Sequence, residues 1–297
     1  ASRTERFWNS WATHPSNNQT NRPRTEMKAP NLLFVRTILR NRELIWRLTE
    51  REISGRYRGS LLGLGWSLVT PLLMLGVYTF VFSGIFKAHW GNGPGTTGTF
   101  GFALNLFAGL IVFTLFAETI NQSPSLVTSN PSYVTKVIFP VEILSVVSVC
   151  TALFHACTSV AILLVFQLLS GQSLSASMLW LPLAWTPLLL GCMALSWMLA
   201  ASGVFIRDIG QVTGVTTNML SFLSAVFYPV SALPEQWQPI LKLNPLVEVI
   251  EQTRRIMIDG QAPSKLYLLA GLISTTLASE LAIRSFKKAQ RGFADVM

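Results

Sequence analysis

Charge is what this sequence has least of. Only 12% of its 297 residues are Asp, Glu, Lys or Arg, half are hydrophobic, and the mean hydropathy is +0.44. A soluble domain of this size needs a larger charged surface, so that class is excluded. No charged side chain stands between Arg58 and Lys87, between Lys87 and Glu118, or between Asp208 and Glu235. Between Glu142 and Arg207 the uncharged run is long enough for two membrane crossings. A helix crossing the hydrocarbon core takes roughly 20 apolar residues.

Groups that carry chemistry are equally sparse. The three cysteines, Cys150, Cys157 and Cys192, sit inside apolar stretches with no metal-ligand partner near them, and read as small packing residues. The three histidines, His14, His89 and His155, form no zinc-protease or triad-like cluster, so no metal site and no catalytic residue is expected. His155, inside a span, reads as a packed polar residue bonded to a neighbour. No phosphate-cradling glycine loop occurs, so nothing in the chain holds ATP. The carboxylates Glu118, Glu142, Asp208, Glu235 and Glu280 lie at span ends and none lies mid-bilayer. Ion-coupled carriers place an ionisable group near the midplane, so the driving energy is expected from a partner ATPase. Residues 1–26 are polar, with four arginines and no apolar core of a secretory signal. Residues 1–30 are expected to be a disordered cytoplasmic extension, with Met27 as an alternative internal start.

What the chain does have is six apolar runs, at about 61–86, 102–120, 143–168, 178–204, 211–230 and 266–284. The last contains Glu280, which can meet Arg284 one turn on. With both termini on the cytoplasmic side, 18 of the 23 Lys and Arg residues fall inside, as the positive-inside rule asks. Residues 32–58 carry apolar positions at helical spacing with arginines opposite, the pattern of a helix lying on the cytoplasmic leaflet. Between the fifth and sixth runs, Pro234 and Asn244-Pro245 are helix starts and Asp259-Gly260 is a stop. That segment reads as two short helices dipping in from the periplasmic face. The expected fold is an all-α membrane protein of six transmembrane helices, with an interfacial helix over 31–60 and the membrane domain over 61–297. Arg56 and Arg58 stand where the interfacial helix turns into the first span. Their guanidinium forks suit a lipid phosphate, and simple anchoring to anionic lipid is the alternative.

The stretch Glu50-Arg51-Glu52-Ile53-Ser54-Gly55-Arg56-Tyr57-Arg58-Gly59-Ser60-Leu61-Leu62-Gly63, running into Trp66 and Pro71, resembles the corresponding signature of ABC-2 type permeases for O-antigen and capsule export. So do Lys136-Val137-Ile138-Phe139-Pro140-Val141-Glu142, Phe205-Ile206-Arg207-Asp208, Asn244-Pro245 and the closing Phe293-Ala294-Asp295-Val296. The resemblance covers about 33–297, in order.

The resemblance implies a permease homodimer in the bacterial inner membrane, with two separately encoded ATPase subunits that supply ATP and Mg, no cofactor in this chain and no nucleic acid partner. The cargo it implies is a lipid-linked polysaccharide, O-antigen first and capsule second. It makes the loop after the second span the coupling helix on the ATPase, through Asn130, Pro131, Tyr133 and Lys136. It lines the polysaccharide path with spans one and five, where Tyr78, Phe82, Phe227 and Tyr228 offer aromatic faces to sugar rings; lipid-facing or packing roles are the alternative for these rings. A membrane-embedded glycosyl- or acyltransferase is the rival from another class, and the dispersed carboxylates weigh against it.

Overall fold

The computed structural model describes residues 32–85, 99–135, 139–170 and 175–296. The extension expected over 1–30 and residue Lys136 lie outside the described residues. Every regular element among the described residues is helical.

The amphipathic N-terminal stretch forms two helices, α1 (Leu33–Arg40) and α2 (Arg42–Tyr57). The break is at Asn41, whose backbone N–H and side-chain amide both donate to the Thr37 carbonyl. Its own carbonyl then accepts from Ile45 N–H in the next helix. No local side chain caps the start of α1. Its first N–H groups are satisfied from far along the chain: Glu280 accepts from Leu33 N–H at 2.8 Å and Phe34 N–H at 3.4 Å, and also pairs with Arg284 at 2.7 Å. A carboxylate facing a helix N-terminus is favoured by both the orphan donors and the helix dipole. Glu280→Ala should therefore loosen α1 by about 1–2 kcal/mol. Hydrogen exchange should speed up at Leu33 and Phe34, and Glu280→Gln should retain part of the protection.

After a 3-10 turn (Gly63–Gly65), α3 (Trp66–Tyr78) passes into a wider π turn (Thr79–Ile85). Then follow α4 (Thr99–Gln122), a short α5 (Pro131–Thr135), α6 (Ile143–Leu169), α7 (Leu181–Phe205) and α8 (Ile209–Leu223). The chain closes with α9 (Gln238–Lys242), α10 (Pro245–Met257), α11 (Lys265–Ala289) and α12 (Phe293–Val296). Five helical stretches among the described residues are long and apolar enough to cross a membrane: Gly63–Val81, Gly101–Ser125, Ile143–Leu169, Ala176–Phe205 and Lys265–Gly292. Most of the second is buried and it forms the centre of the bundle, whereas little of the first is buried and it lies against the side.

The fifth of the six expected spans differs. Over 211–230 the hydropathy runs on unbroken, but α8 stops at Leu223 and Ala225 takes φ 52°, in the left-handed region. Fifteen residues of helix reach about 22 Å, short of the roughly 30 Å hydrocarbon core. The carbonyls left open where the helix stops are met by side chains: Tyr228 Oη donates to Phe222 O at 2.7 Å, and Asn244 Nδ2 to Leu223 O at 3.3 Å. Asn244 also starts α10, its Oδ1 accepting from Leu246 N–H at 3.0 Å with Pro245 at the first helical position. Arg254 of α10 is buried and reaches across the bundle. Its Nη2 donates to Val226 O at 2.8 Å, Nε to Asn105 O of α4 at 3.0 Å, and Nη1 to Glu251 at 3.0 Å.

Close helix packing is set by small residues where backbones meet. At Gly203 in α7 the chain of Pro124, in the turn Ser123–Ser125 beyond α4, lies directly on the glycine. The end of the bundle that holds α1 also holds the last turns of α11. There Lys287 pairs with Glu142 at 3.0 Å, and Phe286, Phe293 and Phe205 form a ring cluster with Phe293 fully buried.

Candidate functional site

Where α2 ends against α4 and α6, four polar side chains meet. Arg56 lies in the last turn of α2 with Tyr57 beside it; Glu118 comes from α4 and His155 from α6. The Arg56 guanidinium pairs with Glu118, whose carboxylate is also 3.0 Å from His155 Nδ1. Tyr57 Oη is 3.1 Å from His155 Nε2, and the two rings meet edge to face at 6.0 Å. With the proton on Nδ1, His155 donates to Glu118 and accepts at Nε2 from the Tyr57 hydroxyl, while Arg56 Nη1 lies 3.1 Å from the same Nδ1. Glu118 and His155 side chains are each 14% exposed, and Arg56 is 35% exposed. Burial pushes the Tyr57 phenol above its usual range and raises the carboxyl of Glu52, one turn back, against the opposing pull of Arg56.

The cluster closes one end of a cavity of about 480 Å³ between α3, α4 and α6. Beyond the polar end the walls are chiefly apolar, with Trp66, Met74, Tyr78, Phe107 and Leu110. A buried carboxylate held by a guanidinium and an imidazole is an electrostatic tie. As a general base it would need a nucleophile, and the second imidazole nitrogen is already taken by Tyr57. Among the described residues no three metal-ligating side chains come together.

Of the two arginines singled out in the sequence, only Arg56 reaches this cavity; Arg58 is exposed and makes no ion pair among the described residues. Of the four aromatic residues assigned to spans one and five, Tyr78 and Phe227 are brought together, and Tyr228 packs apart from them with Ala225, Val230 and Val247. Tyr78 lies 6.5 Å from Phe227, ring centre to ring centre, Phe227 lies 5.4 Å from Phe222, and Tyr228 bonds the Phe222 carbonyl. The backbone of Phe82 continues from Tyr78 in the π turn, and its side chain lies outside what is described. Beyond the second span, Asn130 accepts Tyr133 N–H at 3.0 Å, and its side-chain amide donates to Leu126 O. Pro131 opens the five-residue α5. Tyr133 stacks on Phe139 at 4.2 Å and accepts a hydrogen bond from Arg51 of α2, so the short helix is tied to the amphipathic one.

Glu118, His155, Tyr57 and Arg254 are the residues that sequence reasoning left without a site. The available signal was an acid near the end of one apolar run and a histidine within the next, in a chain with few of either.

The sequence profile of the ABC-2 type transporter family matches residues 43–258. The O-antigen export system permease protein RfbA of Myxococcus xanthus is 26% identical over 264 residues, which is 88% of this chain and 98% of that protein. The protein of the same name from Klebsiella pneumoniae is 24% identical over 256 residues, 86% of this chain and 95% of the relative. The polysialic acid transport protein KpsM of Escherichia coli is 22% identical over 215 residues, 71% of this chain and 79% of its own length.

Proposed function

The chain belongs to the ABC-2 type transporter family, and from that premise we propose that it is the permease subunit of an exporter that moves lipid-linked polysaccharide across the bacterial inner membrane, driven by ATP hydrolysis on a separate subunit. The observation that carries this reading is the match along nearly the whole length of proteins named as O-antigen export permeases. O-antigen is the first choice of cargo, and the shorter match to a polysialic acid transport protein keeps capsule second.

In this reading two copies pair in the membrane above two ATPase subunits, with both ends of the chain on the cytoplasmic side. The fifth crossing is made by α8 with the non-α-helical stretch that follows it up to residue 230, and α9 and α10 dip back from the periplasmic face. A non-helical backbone at membrane depth needs protein or water beside it, and the bonds from Tyr228, Asn244 and Arg254 supply much of that need. Tyr78, Phe227 and Tyr228, with Phe82 next along the turn from Tyr78, line the polysaccharide path. Arg56 and Arg58 receive the lipid head group. Asn130, Pro131, Tyr133 and Lys136 form the coupling element on the ATPase; the Arg51–Tyr133 bond supports it, because movement at α5 would pull on α2.

The test is complementation. Deleting the chain should leave long-chain polysaccharide inside the cell, and the wild-type chain should restore it to the surface only beside an active ATPase subunit. Tyr133→Ala should leave hydrolysis in place and cut export by roughly tenfold or more, the rate cost of losing about 1.4 kcal/mol of coupling. Full surface polysaccharide in the deletion strain would refute the reading.

A further inference from the structure

The cavity beside Arg56 is divided in a way that a protein-packing defect is not. One end carries a guanidinium, a phenol, an imidazole and the Glu118 carboxylate; the rest is chiefly indole, thioether, ring and aliphatic surface, with the small hydroxyls of Ser67, Thr70, Thr114 and Ser159 among it. Its volume of about 480 Å³ falls in the roughly 300–1,000 Å³ range of small-ligand sites. That is too little for a sugar polymer and enough for one charged group with the first stretch of an apolar chain. The walls bear the same message, since sugar hydroxyls would meet mostly carbon there.

Arg56 already has an anion, and it is the protein's own. Glu118 occupies the guanidinium and has a second partner besides it: His155 Nδ1 lies 3.0 Å from the same carboxylate oxygen and 3.1 Å from the other, and 3.1 Å from Arg56 Nη1. If the fork of Arg56 turned to another anion, Glu118 would keep one charge-assisted hydrogen bond. His155 would stay in place through Tyr57 and the helix, where Thr158 and Ser159 both donate to its carbonyl. A phosphate, with more acceptor oxygens and a higher charge than a carboxylate, is the ligand class best able to displace Glu118.

We propose that this cavity binds the phosphate-bearing end of the lipid anchor, a phosphate ester with the beginning of its apolar chain, and that Glu118 sets the affinity by competing for Arg56. The proposal rests on the exporter reading for the source of that lipid, and narrows it: Arg56 takes the phosphate inside the cavity, while Arg58, outside it, serves the membrane surface. Glu118 and His155 are positioning residues, one competing for the guanidinium and the other holding the competitor when it is displaced.

The experiment is calorimetric titration of the purified full-length chain in lipid nanodiscs with farnesyl phosphate, farnesol and lysophosphatidic acid. Farnesyl phosphate should bind about tenfold more tightly than farnesol, the effect of one charge-assisted contact. Glu118→Gln, nearly unchanged in shape, should tighten phosphate binding several-fold and leave farnesol unaffected. Arg56→Gln should erase the difference between the two. Thr70→Phe, at an exposed position on the cavity wall, should weaken both, and it keeps the proposal testable if Glu118→Gln does not fold. Whichever phosphate binds better names the anchor, polyprenyl or glycerolipid, and equal binding would mean that the site reads the phosphate alone. Equal binding of farnesyl phosphate and farnesol, or a Glu118→Gln chain that binds phosphate no more tightly, would overturn the proposal. Since this assay uses neither ATPase nor glycan, such a result beside successful complementation would sink the site and leave the exporter reading standing. The expected binding with unimpaired export in the deletion strain would do the reverse.

Discussion

Gly203→Val should abolish recovery of a folded permease, and Gly203→Ala should lower its stability by about 1–3 kcal/mol or more. A Cβ at this position would fall on the Pro124 carbonyl group, 2.8 Å from its carbon and 2.9 Å from Pro124 Cα, inside any real contact. What it would meet is backbone, in the turn Ser123–Ser125 held by Thr119 O and Ser123 Oγ, so no side-chain rotation relieves the clash. Either α7 or the turn must move, and the chain leading to α5 moves with it. Gly191→Ala on the same helix is the control: its nearest neighbour would be Thr275 Cγ2 at 3.7 Å, an ordinary contact. Monodisperse yield and the thermal midpoint in detergent read both. A stable Gly203→Ala protein with the Gly191→Ala midpoint would show that α7 and the turn are not in contact as described.

The second large effect is at Arg254. Replacing it with Met keeps much of the volume and removes every donor, leaving Val226 O, Asn105 O and Glu251 without it. Breaking a buried charged network from one side costs about 3–5 kcal/mol, and here two of the groups that lose a donor are the backbone carbonyls of Val226 and Asn105. Lysine should rescue little, because a single ammonium lacks the planar fork that reaches Asn105 on one side and Val226 on the other. The packing is equally specific, since Arg254 Nη2 lies where a Cβ on Gly109 would be, at 2.5 Å. The unfolding midpoint and hydrogen exchange over 224–230 measure the loss; a wild-type midpoint for Arg254→Met would mean that α8 and α10 hold together without the arginine.

Much of the fold was legible because hydropathy and helix signals are local. Charge-free runs place four of the five spans and hydropathy places the last despite Glu280 within it, Asn244-Pro245 starts α10 as its type requires, and the helix ends at Met257 ahead of Asp259 and Gly260 with φ 67°. The break after Leu223 was hidden, because Ala225, Val226 and Phe227 look like more span; what stops the helix is a backbone angle at an alanine and bonds from 228, 244 and 254. The polar cluster was hidden for a different reason. Arg56, Glu118 and His155 are separated by 62 and 37 positions, and no spacing rule relates residues on three different helices. Arg254 could be read as one more charge in an external loop. For the aromatic residues, a four-residue α-helical spacing was the only local signal, and it falls on a stretch that passes into a π turn at Thr79; the contact of Tyr78 with Phe227 is tertiary.

The end of the bundle shared by α1 and α11 constrains the order in which this protein can be made. Leu33 emerges from the ribosome early, but the carboxylate that receives its N–H belongs to Glu280, 247 positions later, and Phe205 waits for Phe293. Neither contact can form until synthesis has passed Glu280 and Phe293, whereas Glu118 and His155 are only 37 positions apart and can meet as soon as their two helices are inserted. The end that carries the amphipathic helices is therefore closed by residues made long after those helices, and a chain interrupted before Phe293 would leave that end open.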